Sequence, residues 1–258
     1  MLLPPNRFRG VLAASLIAVA LMAGACSGER PTLSQVPDRP PTSELPTTTT
    51  VPKPPMAQVA QANAPSITVF DAEAGDQPLR TIASGIDTSV DTTPVVFLVK
   101  HAGLARLEVY LPVRPNGSIG WVNKADVTVT DVPYRIEVTI SAHRIRVFKG
   151  FDVIVDEPVG VGRTDRPTPG GVYYLKELLQ PPSPNGPYGP YAYGLSGFSN
   201  VLKSFNGGAG VIGIHGTNDP SAIGSDVSSG CIRVNNAVIE RLVNDIGLPL
   251  GTPVKILA

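Results

Sequence analysis

Two side chains that can do covalent chemistry stand 16 positions apart in the run VIGIHGTNDPSAIGSDVSSGCIRVNN, near the end of a 258-residue chain. His215 closes an apolar stretch and is followed by Gly216, so its ring is expected at a strand edge where the backbone can turn sharply. Cys231 follows Ser228-Ser229-Gly230 and precedes a helical pattern. A thiol becomes a useful nucleophile when it ionises near neutral pH, and an adjacent imidazole or helix N-terminus favours the thiolate. His215 is therefore the expected partner of Cys231. The amides of Gly230 and Cys231 are the expected donors to an oxygen that turns negative when sulfur adds to a carbonyl. The competing reading is a small buried cysteine and a satisfied histidine. One cysteine and scattered histidines offer too few ligands for a metal site.

The compartment bears on that choice. Arg7 and Arg9 precede an uncharged run at 11–25, 15 residues long and shorter than the roughly 20 that span a bilayer core. It reads as a secretory signal. The sequence Leu21-Met22-Ala23-Gly24-Ala25-Cys26 resembles a lipoprotein lipobox, with Cys26 as the lipidated new N-terminus; cleavage after Ala25 with Cys26 a bystander is the alternative. The expected location is the cell envelope, anchored by lipid on the outer face of the cytoplasmic membrane, or secreted if Cys26 is unmodified. An unpaired thiol outside the cytosol is usually reactive or bonded to another chain, which favours a working Cys231.

The remaining sequence must supply the scaffold. Charges balance at 21 basic and 21 acidic, so the basic field that holds nucleic acid is missing. Glycine and proline together make 53 of 258 residues, too many for a helical bundle and natural for a turn-rich β protein. Residues 26–65 carry nine prolines from position 31 onward and no apolar periodicity, and are expected to be a disordered tether. Residues 66–130 show short β-rich runs at 95–99, 107–111, 119–122 and 127–129, separated by turns such as Pro115-Asn116-Gly117. Trp121 among them suits either a binding groove or the barrel's own packing. Residues 131–258 open with an alternating hairpin (Ile136, Val138, Ile140, then Ile145, Val147) and continue with strands near 153–155, 159–161, 172–175, 211–214 and 254–257. A single helix is expected, capped by Asn235, with Val238, Ile239, Leu242, Val243 and Ile246 at helical spacing and Gly247 ending it.

These motifs resemble known families. The segment VYLPVRPNGSIGWVNKADVTV is similar to the Src-homology-3-like domains of bacterial envelope proteins. His215-Gly216-Thr217 and Ser228-Ser229-Gly230-Cys231-Ile232-Arg233 resemble the catalytic block of bacterial L,D-transpeptidases with YkuD-type domains. Arg166-Pro167-Thr168-Pro169-Gly170-Gly171 and the stretch from Gly189-Pro190-Tyr191 to Gly197 resemble that family's pre-strand segment and substrate-side loop. Ser229 stands where the family usually has histidine. The expected architecture is thus mainly β: a small Src-homology-3-like barrel, then an L,D-transpeptidase β-sandwich with one short helix.

The resemblance implies acyl transfer without metal or organic cofactor, in a monomer. Cys231 attacks the third residue of a peptidoglycan tetrapeptide stem, D-alanine leaves, and a neighbouring stem's side-chain amine takes the acyl group to form a third-to-third cross-link. His215 serves as acid and base, oriented by the carbonyl of Gly216, with Ser229 holding the loop. Arg233 meets a stem carboxylate or braces the turn. Tyr188, Tyr191, Tyr193, Thr217 and Ser228 line the donor cleft, though tyrosines among prolines and glycines also serve as loop anchors. The stem peptide is the expected partner, with membrane lipid through Cys26 and no nucleic acid. Hydrolysis of the same thioester, or wall binding without catalysis, are the alternatives.

Overall fold

A computed structural model describes residues 52–85, 93–205 and 207–258. The expected signal at 1–25, Cys26 and the tether up to residue 51 lie outside the described residues. Seven strands come first: β1 (Ala57–Ala62), β2 (Ser66–Phe70), β3 (Pro78–Ala83), β4 (Val96–Ala102), β5 (Arg106–Tyr110), β6 (Ile119–Asn123) and β7 (Val127–Val132). They form one antiparallel sheet in the order β3-β2-β6-β5-β4-β1-β7. Alternate residues build its core, among them Ile67 and Val69, Leu107 and Val109, and Phe97. Trp121 on β6 is half-buried, with the His101 ring edge-on to it at 6.3 Å.

One expected boundary is corrected. The tether does not run to residue 65, because Ala57–Ala62 is a strand paired with both β4 and β7. Its sequence AQVAQA is alanine-rich and carries a single β-branched residue, which is a weak strand signal before pairing. The sheet also continues past 130, to Val132.

Ten strands follow: β8 (Tyr134–Thr139), β9 (Arg144–Lys149), β10 (Asp152–Pro158), β11 (Val161–Gly162), β12 (Gly171–Leu179), β13 (Ala192–Phe198), β14 (Val211–His215), β15 (Asp226–Ser228), β16 (Ile232–Arg233) and β17 (Pro253–Leu257). Eight of them run β10-β9-β8-β17-β12-β13-β14-β16, while β11 and β15 pair parallel to each other. Their shared core includes Ile136, Val138, Tyr173, Leu195, Ile214 and Ile232. The expected mainly-β architecture holds. The two parts meet through Val59, Val96, Leu98 and Val132, which pack around Tyr174 of β12. That explains why β4 opens on an unbroken apolar run at 95–99: Phe97 faces its own sheet's core while Val96 and Leu98 face the neighbour.

The helical segment is α1 (Asn236–Glu240), continued by a wider π turn at Arg241–Asp245. Ile239 and Leu242 bury its apolar stripe. Gly247 leaves it at φ +65°, the left-handed exit that glycine accepts without a Cβ penalty. Asn235 occupies the N-cap position, but its side chain makes no capping hydrogen bond, contrary to expectation.

Candidate active site

Strand register brings the two reactive side chains together. β14 and β16 lie parallel, with Ile214 beside Ile232 and His215 beside Arg233. Stepping one residue back along both strands sets Cys231 beside Gly213. Because successive side chains alternate faces, His215, Gly213, Arg233 and Cys231 share one face, while Ile214, Ile232 and Val234 fill the core behind it. Gly213 has no side chain to occupy the space between. A Cβ there would lie 2.7 Å from the Tyr193 carbonyl oxygen.

His215 and Cys231 both line a cleft of about 740 Å³, walled by Tyr188, Phe205 and the strand edges of β13 and β14. They also both line an adjoining recess of about 160 Å³ that includes Ser229 and Arg233. His215 is 4% exposed, Nδ1 lies 2.6 Å from the Gly216 carbonyl oxygen, and the Tyr188 ring packs edge-on at 4.9 Å. A carbonyl can only accept, so Nδ1 carries the hydrogen and Nε2 is the basic nitrogen of the neutral ring. Burial lowers the imidazole to about 4, with the Gly216 hydrogen bond opposing and the Arg233 charge reinforcing. Burial likewise raises the Cys231 thiol, while a hydrogen bond to the Gly213 backbone and the Arg233 charge pull it down.

Both shifts favour the neutral pair. This runs against the expectation that the imidazole favours a thiolate, because desolvation penalises both ions. Arg233 is placed to act on both partners, and its buried Nε lacks a hydrogen-bond partner among the described residues.

The loop around Cys231 is braced from within. Ser228 Oγ donates to the Cys231 carbonyl at 2.6 Å and accepts from the Gly230 amide at 3.0 Å. This corrects two expectations. The Gly230 amide is already engaged and not free for an oxyanion, and Ser228 spends its hydroxyl on the turn instead of on a ligand. Gly230 sits at φ +119°, a conformation that a side chain would strain. Ser229 Oγ accepts from Arg166 Nη1 at 3.4 Å.

Tyr193 borders the cleft on β13 but turns its ring into the core, and Tyr191 and Thr217, also expected in the cleft, do not line it. Tyr193 is 1% exposed, with its hydroxyl donating to the Leu248 carbonyl at 3.2 Å, so it is a core tyrosine. Tyr191 packs against that same core. Thr217 is buried, its hydroxyl accepting from the Asp219 amide at 3.0 Å. Only Tyr188 of the three tyrosines stands against His215. It is held there by close packing of Gly189 on Gly216, where a Cβ on either would run into Asn236 Oδ1.

Asn236 was not anticipated from the sequence. Its Oδ1 accepts from the Thr217 amide at 2.8 Å and so fixes the turn that carries the Gly216 carbonyl to the His215 ring. The adjacent asparagines 235 and 236 were the available signal, but helix capping accounted for only the first of them.

A thiol and a neutral imidazole on one sheet face, within a cleft of peptide size, define the class of site. Residues 133–256 match the model of the L,D-transpeptidase catalytic domain YkuD. The chain is 34% identical over 125 residues to the YkuD protein of Bacillus licheniformis and 35% over 126 residues to that of Bacillus subtilis, both named for L,D-transpeptidase. Each match covers 48% of this chain and 66% of the relative, just under two thirds of its length. L,D-transpeptidase 3 from Mycobacterium tuberculosis is similar in structure at a TM-score of 0.41 and 16% identity, covering 60% of this chain and 79% of that one.

Proposed function

We propose that this protein transfers acyl groups between peptidoglycan stem peptides through a thioester on Cys231. As the stem's third-residue carbonyl approaches, His215 Nε2 takes the thiol proton and sulfur bonds to the carbonyl carbon. The imidazolium returns that proton to the departing nitrogen of D-alanine when the tetrahedral adduct collapses. The side-chain amine of a second stem then attacks the thioester, His215 takes its proton, and sulfur leaves and is reprotonated. A third-to-third cross-link results, and no atom or electron is left over.

The observation that carries this reading is the β14–β16 register, which sets His215, Arg233 and Cys231 on one face above Gly213 in an accessible cleft. The low pKa of His215 suits a base that must be neutral at working pH. Arg233, with Nε buried and lining the recess, is the residue to meet the stem carboxylate. Export and lipidation at Cys26 belong to the same reading, with the first sheet as a Src-homology-3-like module between tether and catalyst. Cys26→Ala should abolish membrane retention, and unchanged retention with normal processing would remove the anchor.

The test is incubation of the purified protein with a disaccharide tetrapeptide and mass analysis of the products. Cross-linked dimer plus free D-alanine supports transfer. Tripeptide alone would replace transfer with hydrolysis, and unchanged substrate would overturn the enzymatic reading.

A further inference from the structure

The cleft wall formed by residues 199–205 and 207–210 lies between β13 and β14, and it is held by a side chain from the other part of the protein. Arg114, between β5 and β6 of the first sheet, donates from Nη1 to the Ser199 carbonyl at 2.7 Å. Its Nη2 donates to the carbonyls of Leu202 and Ala209, each at 2.9 Å. The guanidinium also lies over the Phe198 ring at 4.7 Å. Two residues on, Asn116 makes a paired contact with the Phe198 backbone, donating to its carbonyl at 2.7 Å and accepting from its amide at 2.8 Å.

The wall is shaped to present those carbonyls. Ser199 Oγ accepts from the amides of Val201 and Leu202, which closes a tight turn, and the Ser199 amide donates to the Gly210 carbonyl at 2.8 Å. Gly210 is at φ +73°, and a Cβ there would sit 3.2 Å from Arg114 Nη2. Ser199, Leu202, Phe205 and Gly210 from this segment line the recess that contains Cys231 and His215.

We propose that Arg114 is a positioning residue for the substrate cleft, so that the first sheet is a working part of the cleft wall and not a detached wall-binding module. The guanidinium spreads its donors over two nitrogens in one fixed plane, so they reach three carbonyls along the segment, whereas the three donors of an ammonium radiate from a single nitrogen. The contacts stand on geometry alone, while the kinetic consequence rests on the acyl-transfer reading.

The experiment compares full-length wild type with Arg114→Ala and Arg114→Lys. Amide hydrogen exchange across 199–213 should rise on the order of 10-fold in both variants, with exchange in β8 and β9 unchanged. With disaccharide tetrapeptide, KM should rise about 10-fold while kcat stays within about 2-fold, the pattern of lost ground-state positioning. Unchanged exchange in the loop, full rescue by lysine, or faster exchange with an unmoved KM would each overturn the assignment. Should Arg114→Ala fail to fold, Asn116→Ala loosens the same segment and is read identically. If wild type transfers nothing, the acyl-transfer reading falls while the exchange measurement still decides the clamp.

Discussion

Burying His215 as a neutral ring ties the stability of the fold to pH. In the unfolded chain this histidine binds a proton near 6.5, whereas in the folded protein it does so only at about 4. Between those values the unfolded state holds a proton that the native state refuses, so stability is fully present above about 7 and is lost as pH falls. At 1.36 kcal/mol per pH unit, the span from 6.5 to about 4 amounts to about 3 kcal/mol, of which about 2 is gone by pH 5. The perturbation is His215→Gln, which removes the titrating group. Urea unfolding of both proteins at pH 8, 7, 6 and 5 gives the difference in stability at each pH, and effects of carboxylates common to both cancel. The variant should gain about 2 kcal/mol on wild type between pH 8 and pH 5. Parallel pH profiles would show that the ring is solvated in the folded state, and the argument for a neutral base would fail with it.

Three further outcomes follow from the same geometry. Alkylation of Cys231 by iodoacetamide should keep accelerating as pH passes the ordinary thiol range, because burial raises the thiol; a plateau already reached below pH 7 would indicate a resting thiolate–imidazolium pair instead. Gly213→Ala puts a Cβ 2.7 Å from a backbone oxygen that cannot yield, so it should destabilise by about 1–3 kcal/mol and slow Cys231 alkylation, measured by melting and by label uptake. Tyr193→Phe leaves the buried Leu248 carbonyl without its donor and should cost about 1 kcal/mol while stem affinity is unchanged; a large rise in KM would give the hydroxyl a part in binding the stem.

Much of this site was legible because its information is local. Apolar alternation located β8 and β9, an apolar stretch located β14, and the glycine after His215 marked the strand end. β13 was not legible. Gly194 and Gly197 make its sequence AYGLSGF look like a loop, yet each glycine is required by a neighbour: a Cβ would strike Glu177 Oε1 at the first and the Tyr173 ring at the second. The tyrosines show the complementary error. Composition places Tyr188, Tyr191 and Tyr193 alike; the pleat of β13 turns Tyr193 to the core, while the loop before that strand carries Tyr188 to His215. The protonation state was beyond sequence reasoning for a similar reason, since desolvation depends on what the fold piles around a group and not on which residues neighbour it in the chain.

The central claim is that the sulfur of Cys231 accepts the acyl group. Quenching the protein in acid within seconds of adding a tetrapeptide stem, then recording its intact mass and mapping the modified peptide, tests this directly. The account predicts a mass gain equal to the tripeptide acyl group on the peptide containing Cys231, absent in Cys231→Ala. Product formation by Cys231→Ala, or an adduct mapped to another side chain, would contradict it.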